Sequence, residues 1–218
     1  MGIFDTLIGW LQMILEFFFH LSSSAGFENY GVAIILMTIV VKMILFPLTI
    51  KQVKSMKAMQ DMQPEMKKLQ EKYKKSPEIL QKEMARLYKE SGVNPLAGCL
   101  PLVAQMPILM GMFYALREFN YAGDPSFLWV LNLSEADPYY ILPVLSALTT
   151  FIQQKQTTSD TSNPQMKVMM FFMPVFIGWI SCTFPAGLVI YWVVSNIMQI
   201  LQQWWMYRGT DSEQKGAA

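Results

Sequence analysis

The segment that decides the fold, ILMTIVVKMILFPLTIK, runs from Ile35 to Lys51. Its apolar residues suit a lipid environment, yet Lys42 lies in the middle of the run. A lysine near the centre of a membrane helix costs about 2.5–3.5 kcal/mol on insertion scales. The rest of the chain must therefore provide an environment in which this charge is tolerated.

Apolar residues make up 53% of the 218-residue chain, and charged residues make up 15%. The apolar residues are gathered into blocks, which is typical of an all-α integral membrane protein. We predict five transmembrane helices, because five blocks are long enough to cross a hydrocarbon core of roughly 30 Å. These blocks are residues 30–50, 95–117, 138–154, 166–183 and 187–206.

Basic residues are concentrated in one polar connection. The stretch 51–94 holds eleven of the 17 Lys and Arg residues, whereas the stretch 118–137 holds none and carries four acidic residues. Because cytoplasmic loops are enriched in Lys and Arg, the first stretch is predicted to be cytoplasmic and the second to be an outer loop. The loop 155–165 and the tail 207–218 would also be cytoplasmic, which makes the chain N-out and C-in.

The opening residues, 1–29, contain no Lys or Arg, so they lack the basic region of a secretory signal peptide. Apolar residues recur there at helical spacing, opposite a polar side. They are Phe4, Leu7, Leu11, Leu15 and Phe18. We predict an amphipathic interfacial helix on the outer side, followed by a linker. An ordinary amphipathic helix packed on protein is the alternative.

The stretch 51–94 is predicted to form a cytoplasmic helical hairpin. Pro64 should kink or break its first helix. Ser76 followed by Pro77 predicts the start of the second helix, which Gly92 would end. A basic surface on this hairpin is formed by Lys67, Lys68, Lys72, Lys74 and Lys75. Such a surface suits anionic lipid head groups or ribosomal RNA, and a solvated face with ordinary positive-inside bias is the alternative.

Simple snorkelling does not explain Lys42 if its span ends at Ile50. That end lies eight residues away, roughly 12 Å along a helix, and a lysine side chain extends only about half that far. A buried ion pair is also disfavoured, because none of the five spans contains an acidic residue. A water-filled cavity is the more economical prediction.

Polar residues in the spans are candidates to line such a cavity, since they normally face the bundle interior or water. The predicted lining residues are Thr38, Gln105, Ser146, Thr149, Gln153, Trp192, Asn196, Gln199 and Gln203. Those in the last span follow one helical stripe toward the cytoplasmic end, which predicts a hydrophilic groove open on that side. Alternatively, each of them simply hydrogen-bonds a neighbouring helix.

Methionine occurs 18 times in the chain. Four methionines crowd one half of the fourth span, namely Met166, Met169, Met170 and Met173. Their unbranched, polarizable side chains adapt to many shapes, as promiscuous binding surfaces require. Filling of the core is the alternative role for each of them.

The chain lacks the parts of several catalytic and metal sites. His20 is the single histidine, and there is neither a G-x-S-x-G turn nor an HExxH motif. Cys99 and Cys182 form neither a disulfide scaffold nor a zinc-ligand spacing. We therefore predict no enzyme activity, no catalytic residues, no metal and no cofactor.

Two segments carry a family resemblance. NPLAGCLPLVAQMPILMGMFYALR, from Asn94 to Arg117, and FPAGLVIYWVVSNIMQILQQ, from Phe184 to Gln203, resemble the signature segments of the YidC/Oxa family of membrane-protein insertases. The order of the predicted elements agrees with that family over about residues 3–208. Because no large outer domain separates the first helix from the first span, the chain resembles the short bacterial form.

The resemblance implies a protein of the bacterial cell membrane that moves nascent membrane proteins sideways into the lipid bilayer without ATP. Lys42 would attract acidic residues in the client's outer tail. The client's apolar helix would slide along the methionine cluster and against the third and fifth spans. The hairpin would receive the client, the ribosome or the signal recognition pathway, and the Sec translocon is a further partner that the resemblance suggests.

The chain departs from the pattern of this family in two places. Family members usually carry arginine where this chain has Lys42, and lysine lacks the planar fork that binds a carboxylate bidentately. The tail also stops soon after Arg208, without a long basic extension.

A small anion channel or transporter, with Lys42 as its anion site, is the rival function from another class. A passive assembly scaffold is the third candidate.

Overall fold

The computed structural model describes residues 2–24, 26, 28–92, 100–117, 119, 121, 124–157 and 164–216. Most of these residues are helical, which confirms the predicted all-α fold class. The described helices are α1 (Ile3–Ser24), α2 (Tyr30–Ile44), α3 (Phe46–Asp61), α4 (Gln63–Lys72), α5 (Pro77–Glu90), α6 (Leu100–Arg117), α7 (Ile141–Thr157), α8 (Pro164–Ser181) and α9 (Ala186–Gly216). The start of the first signature segment, residues 94–99, lies outside the described residues.

The first predicted span, 30–50, is broken in the structure. α2 ends at Ile44, and α3 follows at an angle of 64°. Pro47 accounts for the break, because proline has no N–H to donate and disfavours helical geometry in the residue before it. Lys42 is therefore two residues, not eight, from the end of its straight helix. The distance argument against snorkelling, which assumed a helix running to Ile50, no longer holds.

The polar stretch after this break forms three helices. α3 and α4 separate at Met62, two residues before Pro64, where a break was predicted. α5 begins at Pro77, but the side chain of Ser76 makes no capping hydrogen bond. The Tyr88 hydroxyl of α5 donates to the sulfur of a methionine on α4 over 3.7 Å, so these two helices pack against each other.

α1 lies across one end of the helix bundle. Near its start the ring of Phe4 contacts Tyr114, close to the end of α6, with 6.0 Å between ring centroids. Near its end Phe19 stacks on Tyr30, the first residue of α2, at 3.9 Å. Tyr30 also contacts Phe119, which follows α6. Both ends of α1 thus contact the same end of the bundle, a placement that suits the predicted interfacial helix.

Length and hydropathy single out few membrane-crossing helices among the described residues. Phe4–Ser24 is long and apolar enough to cross a bilayer, and the bent pair of α2 and α3 is a second candidate if it counts as one span. Met170–Ser181 is apolar but shorter. The count of five spans therefore stays a prediction.

The 124–140 loop, which connects α6 to α7, forms hydrogen bonds at the starts of two other helices, α2 and α9. Beside the start of α2, the Asn29 side-chain amide donates to the carbonyl of Ser126 over 2.9 Å. The first two N–H groups of α9 donate to the carbonyls of Glu135 and Leu133 over 2.7 and 2.9 Å. These bonds satisfy backbone donors that a helix start otherwise leaves unpaired.

Asp137 fixes the start of α7. It is 2% exposed, and its carboxylate accepts hydrogen bonds from the backbone N–H groups of Tyr139 and Leu142 and from Trp129 Nε1, over 3.0, 2.7 and 3.1 Å. Because Asp137 caps this turn, α7 begins at Ile141, three residues after the predicted start of the span.

Much of the buried apolar core lies toward the same end as the 124–140 loop. Its fully buried residues include Leu15, Ile34, Met37, Met112, Leu116, Val130, Leu133, Leu188 and Val189. We call this end of the bundle the loop end, and the opposite end, where α2 meets α3, the α3 end. At the α3 end α9 continues to Gly216, beyond the predicted end of its span at residue 206, because no proline interrupts it.

Candidate functional site

Lys42 lies in the last turn of α2 and is only 7% exposed. Its Nζ donates to Oε1 of Gln105 on α6 over 3.4 Å and to Oε1 of Gln199 on α9 over 3.5 Å. Three helices therefore meet at one ammonium group. We call these three residues, together with Tyr191, the Lys42 site.

Tyr191 orients the amide of Gln105. The Nε2 atom of Gln105 donates to the Tyr191 hydroxyl over 2.6 Å, which turns the Gln105 carbonyl oxygen toward Lys42. Tyr191 is 2% exposed, and it was not identified from the sequence. The available signal is the spacing of Tyr191, Ser195 and Gln199, because residues four apart share one face of a helix.

The hydrogen bonds that Lys42 makes are long, and both of the acceptors are neutral. A buried charge is costly unless it is paired with an opposite charge and well hydrogen-bonded. Amide carbonyls supply less stabilisation than a carboxylate, whose hydrogen bonds to an ammonium are shorter and stronger. The electrostatics of the Lys42 site therefore favour the arrival of an acidic group.

Four of the predicted lining residues join helices to one another. On α9, Trp192 Nε1 donates to the Thr150 hydroxyl over 3.1 Å, and the Asn196 amide donates to Thr149 and Thr150 over 3.2 and 3.0 Å. On α7, Ser146 donates to a serine hydroxyl of α8 over 3.0 Å. These contacts fit the alternative in which polar residues hydrogen-bond neighbouring helices.

Two further predicted lining residues make no contact with Lys42 among the hydrogen bonds of the described residues. Thr38 is fully buried, and its hydroxyl donates to the Ile34 carbonyl of its own helix over 2.6 Å. Gln153 lies half-buried on α7. The structure thus brings only Gln105 and Gln199 of the predicted set directly to Lys42.

Gln203 lies at the α3 end and is fully buried. Neither of its side-chain amide atoms has a hydrogen-bond partner among the described residues. α3 also lies at this end, and its residues Gln52, Val53 and Met56 are buried. Gln60 of α3 also donates to the last carbonyl of α7 over 2.7 Å. Lys42 and Gln203 are thus both buried, and the cytoplasm-open groove stays a prediction.

A small apolar cavity of about 30 Å³ lies between α6, α8 and α9. Its lining residues are Leu109, Ile177, Ile180, Ser181, Phe184, Leu188, Val189 and Trp192. Of the methionine cluster, Met170 is buried on α8 and Met173 is half-buried. The side chains of Met166 and Met169 lie outside the described residues. Because Trp192 lines this cavity and Tyr191 belongs to the Lys42 site, α9 contributes to both.

The predicted basic surface lies on α4 and on the turn that follows it. Four of its five lysines are exposed, and Lys67 is half-buried. The exposed ones are Lys68, Lys72, Lys74 and Lys75. The ammonium of Lys72 lies 5.1 Å from the centroid of the Tyr73 ring. Most of this charge is therefore available to a partner or to solvent.

Comparison with known proteins defines the class. The family described as 60Kd inner membrane protein matches residues 20–214. The fold is similar to the crystal structure of an active YidC insertase with its first transmembrane domain resolved, with a TM-score of 0.73 and 28% sequence identity. That match covers 92% of this chain and 46% of the solved chain. The class is therefore that of bacterial inner-membrane proteins.

Three curated relatives identify the family. Membrane protein insertase YidC 2 of Bacillus anthracis is 48% identical over 200 residues, which cover 89% of this chain and 76% of the relative. Insertase MisCA of Bacillus subtilis is 46% identical over 84% of this chain and 72% of its own length. YidC of Caldanaerobacter subterraneus is 42% identical over 94% of this chain and 96% of its own length. The chain belongs to the YidC/Oxa family of membrane-protein insertases, which confirms the resemblance seen in its sequence.

Proposed function

We propose that this protein receives nascent membrane proteins from the cytoplasm and releases them into the lipid bilayer without ATP. The polar tail of the client binds at the Lys42 site, and its apolar helix leaves along α7 and α9, beside the small apolar cavity. The observation that carries this proposal is the buried ammonium of Lys42, held by two neutral carbonyl oxygens.

A client carboxylate stabilises that ammonium. Two unit charges 4 Å apart attract by about 4 kcal/mol at an effective dielectric constant of 20. This attraction is similar in size to the penalty of several kcal/mol for burying one ion inside a protein. Acidic residues in a short outer tail are thus drawn part-way into the membrane, which shortens the crossing that remains.

Gln105 and Gln199 hold the ammonium before the client arrives. Lysine has a flexible stem, and two acceptors on different helices restrict where its charged end can lie. Because their hydrogen bonds to Lys42 are long, a carboxylate can replace one of them without rearranging the helices. This restriction compensates in part for the planar fork that arginine supplies in most of the family.

The orientation follows from the charges at the two ends. α2 and α6–α9 span the membrane five times in this proposal, with the loop end outside and the α3 end in the cytoplasm. The basic α4 lies beyond the α3 end, and the 124–140 loop carries acidic residues and no Lys or Arg. This distribution suits the enrichment of basic residues in cytoplasmic loops.

We infer that α3 moves when a client enters, because it contacts α9 through Phe46 and Trp205 and the end of α7 through Gln60. The junction at Leu45 already separates two helices, so α3 can turn there without breaking hydrogen bonds inside α2. Gln203 gains water as this region opens, and its unpaired amide atoms then form the hydrogen bonds that they lack. That gain offsets part of the cost of exposing Gln52, Val53 and Met56 to water.

We infer that the exit path follows the third and fifth spans and the methionine cluster of α8. The third and fifth spans, α7 and α9, bond to each other through Trp192 and Asn196, so together they offer one surface against which a client helix can slide. The small apolar cavity between α6, α8 and α9 adjoins this surface, because Trp192 also lines the cavity. Burial of the client's apolar surface in lipid, at about 25 cal/mol per Å², drives its release.

Cytoplasmic partners would bind the α4–α5 pair. Its exposed lysines suit ribosomal RNA or anionic lipid head groups, and they would receive the ribosome or the signal recognition pathway. The Sec translocon is a further candidate partner, and no contact among the described residues indicates which surface of this protein it would bind.

Insertion by the purified protein in liposomes tests the proposal. We expect Lys42→Ala to slow insertion of a client with acidic outer-tail residues by about tenfold or more, because about 1.4 kcal/mol of the attraction corresponds to tenfold. Lys42→Arg should retain insertion. Lys155→Ala, which removes an exposed lysine at the end of α7, is the matched control and should behave as the unmodified protein. Equal insertion by all four proteins would contradict the role of Lys42.

The same liposomes separate an insertase from the two rivals. A small anion channel or transporter would pass anions without any client, and a passive scaffold would bind clients without inserting them. Neither rival is favoured by the names of the relatives, all of which are insertases.

A further inference from the structure

We propose that the 124–140 loop carries a lipid-binding tip, formed by Leu128 and Leu131, that inserts into the outer interface of the bilayer. The inference rests on the orientation in the proposed function, which places this loop outside. Its partner is a lipid surface, and it requires no client.

The tip residues are unusual in their exposure. Leu131 and Leu128 are 80% and 75% exposed, the highest values among the exposed large hydrophobic residues of the described chain. From Pro125 to Ser134 the loop contains no charged residue. An exposed apolar surface of this kind marks a contact with protein or membrane.

Along the loop the two exposed leucines alternate with residues that pack into the bundle, and this pattern directs the leucines outward. Phe127 packs against Gly31 so closely that a Cβ on that glycine would overlap the phenylalanine ring. Val130 and Leu133 are buried at 2% and 0% exposure. Each exposed leucine therefore lies between residues that are anchored in the bundle.

The turn that presents Leu128 is rigid and strained. The backbone N–H and C=O groups of Phe127 and Val130 bond to each other over 2.8 and 2.9 Å. Leu128 between them adopts φ +53°, a left-handed conformation that is uncommon for a residue other than glycine. Such strain persists where the surrounding structure enforces it and often accompanies function. Here it directs an apolar side chain away from the protein.

Lipid is the occupant that the surroundings favour. Trp129 bonds to Asp137 at the start of α7, which places the tip beside that helix. Tyr139 and Tyr140 are exposed at the same point, and tyrosine is enriched at membrane interfaces. The exposed apolar side of α7 continues from there through Ile141, Val144, Leu148 and Ile152. The tip thus extends a helix face that the proposed orientation turns toward lipid.

Spin-label accessibility tests the inference directly. Single cysteines at 128 and 131 would be made in a background in which Cys99→Ser and Cys182→Ser remove the native thiols. The labelled protein would be reconstituted in vesicles of phosphatidylethanolamine and phosphatidylglycerol. Labels at Val144 and Ala136, which are both exposed, serve as the lipid and water references.

We expect the ratio of oxygen to nickel-chelate accessibility at 128 and 131 to exceed the ratio at 136 several-fold and to approach that at 144. Ratios equal to the one at 136 would overturn the proposal. Spin–spin broadening at 131 that disappears on dilution with unlabelled protein would also overturn it, because a second copy would then cover the tip. Position 131 remains informative if a label at 128 disturbs the strained turn.

This measurement involves no insertion assay, so its failure is distinct from failure of the proposed function. A label at 131 that reports water while Lys42→Ala still slows insertion would remove the lipid-binding tip and leave the insertase proposal intact.

Discussion

The two ends of the bundle differ in how well their buried polar groups are hydrogen-bonded. At the loop end, Asp137 accepts three hydrogen bonds of 2.7–3.1 Å, and the first N–H groups of α9 are paired with loop carbonyls. At the α3 end, Lys42 makes two hydrogen bonds of 3.4 and 3.5 Å, and the amide of Gln203 is unpaired among the described residues.

This difference indicates that the loop end is rigid, whereas the polar groups at the α3 end can change their hydrogen-bond partners. A fully satisfied polar network in a low dielectric rigidifies the structure around it. Poorly satisfied polar groups lower the free energy needed for local opening. We therefore expect the loop end to determine stability, and the α3 end to determine how a client is received.

The largest effect is expected from Asp137→Ala at the loop end. This change should lower the free energy of unfolding by about 3–5 kcal/mol, because one buried and two part-buried donors lose their carboxylate acceptor. Hydrogen bonds to charged groups contribute about 1.5–3 kcal/mol each when they are buried. Thermal unfolding in detergent, followed by circular dichroism, measures the change. Asp124→Ala, at an exposed position in the same loop, should cost less than about 1 kcal/mol. Equal losses in the two variants would show that burial at the loop end is not what matters.

A pH titration tests the loop end through Tyr121, whose ring contacts Tyr30 at the start of α2 with 4.9 Å between centroids. Burial raises the pKa of Tyr121 to about 12, above its ordinary value near 10, so the unfolded chain ionises first as pH rises. The stability that this residue contributes is fully present below pH 10 and is lost as pH rises to about 12. The total loss is about 2–3 kcal/mol, since one pKa unit corresponds to about 1.4 kcal/mol.

Chemical unfolding between pH 9 and pH 12 would measure this loss. Tyr121→Phe should flatten the decline, and Tyr139→Phe at an exposed position of the neighbouring loop should leave it unchanged. A decline that persists in full in Tyr121→Phe would place the titrating group elsewhere.

The smallest effect is expected from two glutamines at the α3 end. Replacing each with leucine should change the free energy of unfolding in opposite directions. Gln203→Leu should stabilise the fold by about 1–2 kcal/mol, because it removes a buried amide whose missing hydrogen bonds cost about 1–3 kcal/mol. Gln105→Leu should destabilise it by a similar amount, since it removes the partner of both Lys42 and Tyr191. The two variants can be compared by thermal unfolding. Destabilisation by both would show that Gln203 is well satisfied, and the contrast between the two ends would weaken.

Much of the fold could be read from local patterns. Pro64 predicted the break between α3 and α4, because a proline in a polar helical stretch is conspicuous. Pro47 was missed although its physics is the same, since it lies in an apolar run and hydropathy is insensitive to a missing backbone N–H. The shift of Lys42 toward the end of its helix followed from that second proline.

The candidate site was only partly accessible in this way. Gln105 and Gln199 were identified as polar residues within apolar spans, and both contact Lys42. Tyr191 was missed because a tyrosine in an apolar segment has the pattern of a core residue. Trp192 and Asn196 were grouped with Gln199 on one stripe, but the first two bond to α7, whereas Gln199 bonds to Lys42.

The sequence by itself determined the apolar blocks, the isolated basic residue among them, the uneven distribution of charge and the two signature segments of the family. These are properties of composition and of spacing along one helix. The tertiary structure alone decided which groups surround Lys42, because its partners lie 63 and 157 residues away. Helical periodicity shows which residues share a face, and only the packing of helices shows which faces meet.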